Sequence, residues 1–147
     1  MGVTQKKGDL GLVKVIENLV EQGIAVSLPI SESQKYDLIA EKDNKCKTVQ
    51  VRYSSLKDGS IYIKLRSIWT NGNGTQYRSR KKDDFDVLAV FCPDTKEVYF
   101  LDGQKFSNGI AVFLRVDEPK ANKSKCRMTK EYLQFPWHDS EATGDVK

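Results

Sequence analysis

The chain has 147 residues, of which 39% are hydrophobic and 30% charged, and its formal net charge is +4. This length and composition predict a single folded domain with its own hydrophobic core and exclude a wholly disordered chain. The longest apolar run, residues 87–92, is far too short to span a membrane, so no membrane partner is expected.

The N-terminal region predicts one helix followed by a short strand. Between Asp9 and Gln22 the apolar residues recur with the 3.6-residue period of a helix. Asp9 is a suitable N-cap, and Gly23 stands where a helix commonly ends. Residues 24–29 form an apolar run that ends at a proline, as expected of a short strand.

Two apolar runs, residues 36–40 and 48–53, predict a β-hairpin across the polar link 41–45. The turn residues 57–60 then lead into residues 61–66, where apolar and charged side chains alternate. This alternation predicts a strand with one buried face and one basic face.

The second half of the chain predicts a loop and three more strands. Residues 67–80 are expected to form a loop around an Asn-Gly-Asn-Gly stretch. The continuous apolar run 85–92 predicts a strand that is buried on both faces. A turn then leads to a strand at residues 98–101, and residues 110–116 predict the last strand.

The order of these elements predicts an α/β fold, with a mixed central β-sheet and one prominent N-terminal helix. Residues 1–116 are expected to form the core of the domain. Residues 117–147 contain two prolines and little periodicity, which predicts an extended C-terminal tail.

Cysteine and histidine usage argues against several kinds of site. The three cysteines show no C-x-x-C spacing, so neither structural zinc nor a disulfide framework is expected. The single histidine, His138, lies in the predicted tail, which argues against hydrolysis by a catalytic histidine. A reducing compartment fits best, so we expect a cytoplasmic protein.

Three polar side chains interrupt the predicted hairpin and form a candidate functional site. Asp37 lies on the first strand, whereas Gln50 and Arg52 lie two residues apart on the second and therefore share a face. A carboxylate, an amide and a guanidinium at one sheet edge predict a site for a metal ion and a phosphodiester. Three plainer interpretations remain open. Asp37 would accept a hydrogen bond from a strand-end amide, Arg52 would form an ion pair with Asp37, or Gln50 would be buried and satisfied by the backbone.

The basic residues are concentrated in two segments, 64–82 and 120–130. These 30 residues hold 11 of the 24 lysine and arginine side chains and no acidic residue. Such a separation predicts a positive surface for a polyanion, and solvated basic loops are the alternative.

These features, in this order, resemble the PD-(D/E)xK nuclease superfamily, whose members have a restriction-endonuclease-like core. The resemblance lies in residues 7–11, 36–38 and 49–52, together with the N-terminal helix. It is closest to the resolvase-like branch, and within it to the small homing endonuclease encoded in a cyanobacterial group I intron. It implies a sequence-specific double-strand DNA homing endonuclease that hydrolyses phosphodiester bonds with Mg²⁺-activated water.

The resemblance also implies which residues hold the metal. Asp37 matches the family's main metal-ligating aspartate, and Gln50 occupies the place of its second ligand. The backbone carbonyl of Val51 would supply a third oxygen. Mg²⁺, with Mn²⁺ as a substitute, suits oxygen ligands of this kind.

Two candidate catalytic positions depart from the family pattern. Leu12 stands where the family's helix carries a glutamate, and Arg52 stands at the family's lysine position, where it would stabilise charge on the phosphate. Asp9, about one turn before Leu12, would either replace the missing acid or serve only as an N-cap. These departures leave two alternatives to a homing enzyme, namely a catalytically weak or inactive DNA-binding module and a junction resolvase.

The expected partner is double-stranded DNA. A chain of this size offers one active site, so cutting both strands implies a homodimer or a homotetramer. Trp69 would either stack on DNA or pack within its own loop. The expected DNA contacts are Lys6, Lys7, Lys64, Arg66, Trp69, Asn71, Arg78, Arg80, Lys81 and Lys82.

Overall fold

The computed structural model of the chain describes residues 2–71, 74–79, 84–106, 111–116 and 127–137, with the backbone alone in the two strands between 66 and 79. Within these residues the chain forms one α-helix, ten strands and one 3₁₀ helix, Thr129–Tyr132. The elements are α1 (Val3–Glu21), β1 (Ala25–Ser27), β2 (Leu38–Lys42), β3 (Lys45–Tyr53), β4 (Leu56–Lys57), β5 (Ser60–Lys64), β6 (Arg66–Asn71), β7 (Gly74–Ser79), β8 (Val87–Cys92), β9 (Glu97–Asp102) and β10 (Ala111–Arg115).

Helix α1 is longer than the sequence pattern predicts. It begins at Val3, after an N-cap at Gly2, so Asp9 lies inside the helix and its predicted role as the N-cap is wrong. Residues 4–7 are polar and show no apolar period, although glutamine and lysine are good helix formers, so the pattern could not locate the first turns. No helix in the described part of the chain is long and apolar enough to cross a membrane.

A five-stranded mixed sheet, in the order β1-β2-β3-β8-β9, lies at the centre of the fold. Its neighbouring strands are antiparallel except for β3 and β8, which run parallel. The predicted hairpin is confirmed as β2 and β3, which meet at a two-residue turn where Asp43 and Asn44 have φ of 52° and 67°. The sheet and α1 together confirm the predicted mixed α/β class.

Strand β8 separates two hydrophobic cores. Every residue of β8 is buried, as its continuous apolar run predicts. Val87, Ala89 and Phe91 belong to the first core, together with residues of α1. Leu88 and Val90 belong to the second core, which lies beneath a three-stranded sheet in the order β10-β5-β4.

The predicted loop at residues 67–80 is wrong, because most of it forms a second hairpin. Strands β6 and β7 pair antiparallel, with Asn71 in register with Gly74. The Asn-Gly stretch that suggested a loop supplies residues suited to the tight connection of a hairpin. The polar composition of residues 67–80 therefore does not distinguish a two-stranded ribbon from a loop.

Part of the predicted C-terminal tail packs on the core. Phe135 is buried in the first core, where its ring lies 5.5 Å from that of Phe100. The Nζ of Lys47 on β3 donates a hydrogen bond to the carbonyl oxygen of Pro136 at 2.9 Å. These contacts fasten residues 127–137 to the central sheet.

Candidate active site

Asp37 is fixed at the start of β2 by two hydrogen bonds to β3. Its backbone N–H donates to the carbonyl oxygen of Val49 at 2.8 Å, and its Oδ2 accepts from the backbone N–H of Val51 at 2.7 Å. The Asp37 side chain thus accepts a hydrogen bond from a backbone amide of β3, as one of the plainer interpretations of the sequence predicts. The carboxylate is exposed, and one accepted bond leaves lone pairs free for a ligand.

Val51 presents a second oxygen at the same edge. The N–H and C=O of one strand residue point towards the same neighbouring strand, so the Val51 carbonyl is directed to the side of Asp37. The strand is held from below by α1, because a Cβ placed on Gly11 would lie 3.6 Å from side-chain atoms of Val51 and Tyr53. Helix α1 therefore packs directly on this part of β3.

Gln50 and Arg52 lie on the opposite face of β3 from α1. Their register partners on β8 are Leu88 and Val90, which belong to the second core. Both side chains are half-buried. The Arg52 Nε is fully shielded from solvent and has no hydrogen-bond partner in the described part of the chain. An unsatisfied buried donor of this kind costs about 1–3 kcal/mol.

The electrostatics of Arg52 reflect both burial and Asp37. Burial lowers the pKa of the Arg52 guanidinium from its usual value, and the negative charge of Asp37 opposes this shift. The two groups therefore interact, yet no salt bridge joins them among the described residues. Arg52 thus offers an incoming anion a positive charge.

An open cavity of about 320 Å³ lies beside Asp37. Leu12 lines it from α1 while also packing against the first core. Glu32 lines it from the segment between β1 and β2 and brings a second carboxylate to the cavity. Sequence reasoning missed Glu32, because no helix or strand period marks that segment, and its only signal was an acid close before Asp37.

The oxygen atoms at this cavity fit a weakly held, hard cation. The described residues contain no group of three His, Cys, Asp or Glu side chains that could hold a metal ion. The cavity lining supplies the carboxylates of Asp37 and Glu32, and the Val51 carbonyl is directed to the side of Asp37. Such a set suits Mg²⁺, which prefers oxygen and keeps several waters when it binds few protein ligands.

The predicted DNA contacts occupy three parts of the chain. Lys64 is exposed on β5, whose Ile61 and Ile63 are buried, as the alternating pattern predicts. Lys6 and Lys7 are exposed on α1, and the Lys7 Nζ lies 5.8 Å from the ring centre of Tyr53. The backbone of the β6–β7 ribbon carries Arg66, Trp69, Asn71 and Arg78, whereas Arg80, Lys81 and Lys82 lie outside the described residues.

Comparison with known proteins places this site in a nuclease fold. The solved structure of a bacterial homing endonuclease, I-Ssp6803I, matches with a TM-score of 0.72 and 23% identity, over 89% of this chain and 88% of that one. No curated protein sequence matches the chain. A family model of PD-(D/E)XK endonucleases matches residues 3–135, which is most of the chain. The chain therefore belongs to the PD-(D/E)XK endonuclease family.

Proposed function

We propose that the chain is a divalent-metal-dependent endonuclease of the homing type, which cuts both strands of a specific double-stranded DNA target. The observation that carries this proposal is the Asp37 carboxylate, held on Val51 at the mouth of an open cavity. Beside it lies Arg52, a half-buried cation whose charge interacts with that of Asp37. In a member of the PD-(D/E)XK endonuclease family, this pair supports hydrolysis of a phosphodiester.

The residues of the site have distinct roles in this proposal. Asp37, Glu32 and the Val51 carbonyl would hold Mg²⁺, with the Gln50 amide as a further oxygen that would add no charge. When bound, such an ion would supply Lewis acidity and lower the pKa of a water that attacks the phosphate. Arg52 would pair with the phosphate through its charge. It acts as an electrostatic clamp and not as a base, because arginine does not deprotonate in proteins.

We assign DNA binding to basic residues outside the site. Lys64 on β5, Lys7 beside Tyr53 and the β6–β7 ribbon would contact phosphates, and a two-stranded ribbon has the dimensions to enter a major groove. One site per chain implies two chains per double-strand cut, hence the proposed homodimer or homotetramer. A cytoplasmic location remains part of the proposal.

A DNA-binding module without useful catalysis is the second candidate. Leu12 favours it, because an apolar side chain lines the cavity from the helix that carries an acid in the family pattern. Arg52 favours it too, because a fixed cation beside the ligands opposes binding of a second cation. With few carboxylates, metal affinity would depend on the DNA phosphate that completes the coordination shell.

Incubation of the protein with plasmid DNA and with a four-way junction, in Mg²⁺ or Mn²⁺, tests the proposal. A linear product with one cut position supports the homing endonuclease. Nicks confined to the junction indicate a resolvase, and retarded DNA without any cut indicates the binding module. Absence of both binding and cutting contradicts all three.

A further inference from the structure

The outer face of α1 carries an apolar stripe that the core does not use. The helix buries Val15 and Leu19 against the sheet. The opposite side of the helix, away from both cores, exposes four large aliphatic side chains. They are Val3 (69% exposed), Leu10 (43%), Val13 (59%) and Val20 (60%).

The spacing of this stripe is that of a helix-pairing seam. Positions 3, 6, 10, 13, 17 and 20 alternate steps of three and four residues, which is the a/d spacing of coiled coils. The two remaining positions hold Lys6 and Glu17, both exposed. We call these six residues the outer stripe: Val3, Lys6, Leu10, Val13, Glu17 and Val20.

The outer stripe is complementary to itself in one orientation only. If two copies of α1 cross antiparallel with the midpoint between Gly11 and Leu12, Leu10 faces Val13 of the other copy. Lys6 then faces Glu17, and Val3 faces Val20. In a parallel pair each lysine would face a lysine and each glutamate a glutamate, which is unfavourable. The charges therefore select the antiparallel arrangement.

We propose that two copies of this chain associate through their outer stripes as an antiparallel helix pair with two-fold symmetry. The seam from Val3 to Val20 is about 26 Å long at 1.5 Å per residue. The same patch serves both copies, as a two-fold interface requires. DNA is the poorer occupant, because aliphatic side chains and the Glu17 carboxylate gain nothing from phosphates.

The pairing deepens the oligomer part of the proposed function by naming its surface, but it does not depend on catalysis. It assigns Lys6 to the partner's Glu17 and leaves Lys7, which lies over Tyr53, as the DNA contact of this helix. In the single chain, the Glu17 Oε1 lies 3.8 Å from the Lys14 Nζ, and both side chains of this ion pair are exposed. Such surface pairs contribute little, so Glu17 is free to turn towards the second copy.

Sedimentation velocity on the full chain, without DNA or metal, tests the pairing. The wild type is expected to show twice the 16.7 kDa mass or a multiple of it at concentrations up to about 100 μM, the range of a modest interface. Val13→Glu should weaken association at least about tenfold. Ile30→Glu is the matched control, since Ile30 is an exposed aliphatic residue outside α1 and the outer stripe. Circular dichroism checks that both variants keep the wild-type fold.

A charge exchange provides the second arm. Lys6→Glu and Glu17→Lys should each reduce self-association. In either variant, positions 6 and 17 of the two copies carry the same charge where they face each other, and this happens twice in the symmetric pair. Mixing the two variants should restore the dimer, because each copy then complements the other. A monomeric wild type, unchanged association of Val13→Glu, or a mixture no better associated than either variant alone would overturn the pairing.

Discussion

Two neighbouring side chains, Asp37 and Arg52, differ in how the fold holds them. Asp37 uses one carboxylate oxygen to accept the Val51 N–H, which orients the group while its charge remains exposed. Arg52 is held by burial, and its shielded Nε has no hydrogen-bond partner among the described residues. Because solvent does not reach this atom, an arriving phosphate would meet the positive charge of the guanidinium and not the Nε–H. DNA binding would therefore draw on the charge of Arg52.

The double substitution Leu12→Glu with Arg52→Lys should increase DNA cleavage and lower the Mg²⁺ concentration needed for it. A helix glutamate adds a negative ligand at the cavity, and lysine replaces a fixed fork by a group that can exchange its proton. The measurement is the initial cleavage rate over a Mg²⁺ titration. Leu12→Gln with Arg52→Lys is the control of similar shape. Equal rates for the two double variants would show that position 12 does not contribute a metal ligand.

Glu32→Gln should weaken Mg²⁺ binding without changing the fold. The substitution keeps the oxygen at the cavity and removes its charge, so the half-saturating Mg²⁺ concentration should rise by roughly tenfold. Titration calorimetry in the presence of uncleavable DNA measures this directly. Glu41→Gln, an exposed acid on β2, is the control and should match the wild type. Identical curves for both variants would remove Glu32 from the site.

At the level of elements, the site depends on strands whose partners come from distant parts of the chain. Strand β3 pairs with β2 across a two-residue turn and with β8 across more than 30 residues. Helix α1 covers one face of β3, and the second core fills the other. From the C-terminal side, Phe135 closes the first core, while Tyr132 of the 3₁₀ helix packs against the second core. The positions of Asp37 and Arg52 therefore depend on several long-range contacts.

Phe135→Ala should destabilise the protein by about 3 kcal/mol, the usual size of a buried phenylalanine deletion. The residue is only 6% exposed and packs on Phe100 and Trp137. Urea unfolding followed by tryptophan fluorescence measures the change. Gln134→Ala, at the exposed neighbouring position, should stay within about 0.5 kcal/mol of wild type. A Phe135 variant as stable as the control would mean that residues 127–137 do not belong to the folded core.

Much of the fold follows from local patterns, and the departures have local causes. The β2–β3 hairpin and the doubly buried β8 could be predicted, because alternation and turn residues lie within a few positions of each other. The parallel pairing of β3 with β8 has no local signal in the sequence, because the two strands are more than 30 residues apart. The polar residues of the β6–β7 ribbon predict a loop, because they lack the apolar alternation of a half-buried strand. Phe135 lies between weak patterns, so its burial needed the tertiary structure.

The candidate site also has features that the sequence predicts and features that need the coordinates. Asp37 and Arg52 could be brought together from sequence, since both lie on one hairpin. The bond from the Val51 N–H to Asp37 needed coordinates, because it depends on where β2 begins. Glu32 also needed coordinates, since the segment between β1 and β2 has no period that fixes its path. Their functional roles remain predictions.

For the whole molecule, the separation of charge is the main determinant of how it meets DNA. The segment 64–82 has six basic residues and no acid, while the formal net charge of the chain is only +4. A positive region on an otherwise acidic body orients the approach to a polyanion. It also makes affinity strongly dependent on salt, because each phosphate contact releases counterions.

Replacing Arg80, Lys81 and Lys82 with alanine should weaken DNA binding and flatten its salt dependence. Three lost phosphate contacts would reduce the slope of log K against log salt by about 2 to 3. Gel-shift titrations at several salt concentrations measure this slope. The control removes the same charge from Lys42, Lys45 and Lys105, which are exposed outside this segment. A slope equal to that of the control would exclude this cluster from the contact surface.

The most direct test of a metal-dependent site at Asp37 is cleavage of double-stranded DNA by the wild type and by Asp37→Asn. Asparagine keeps an oxygen for the Val51 N–H and removes the negative charge. Asp43→Asn makes the same change at an exposed turn where φ is 52°. With Mg²⁺ or Mn²⁺, the wild type and Asp43→Asn should cut while Asp37→Asn cuts at least about 100-fold more slowly, the size expected for loss of a charged group that stabilises the transition state. Equal cleavage by all three proteins would contradict the account.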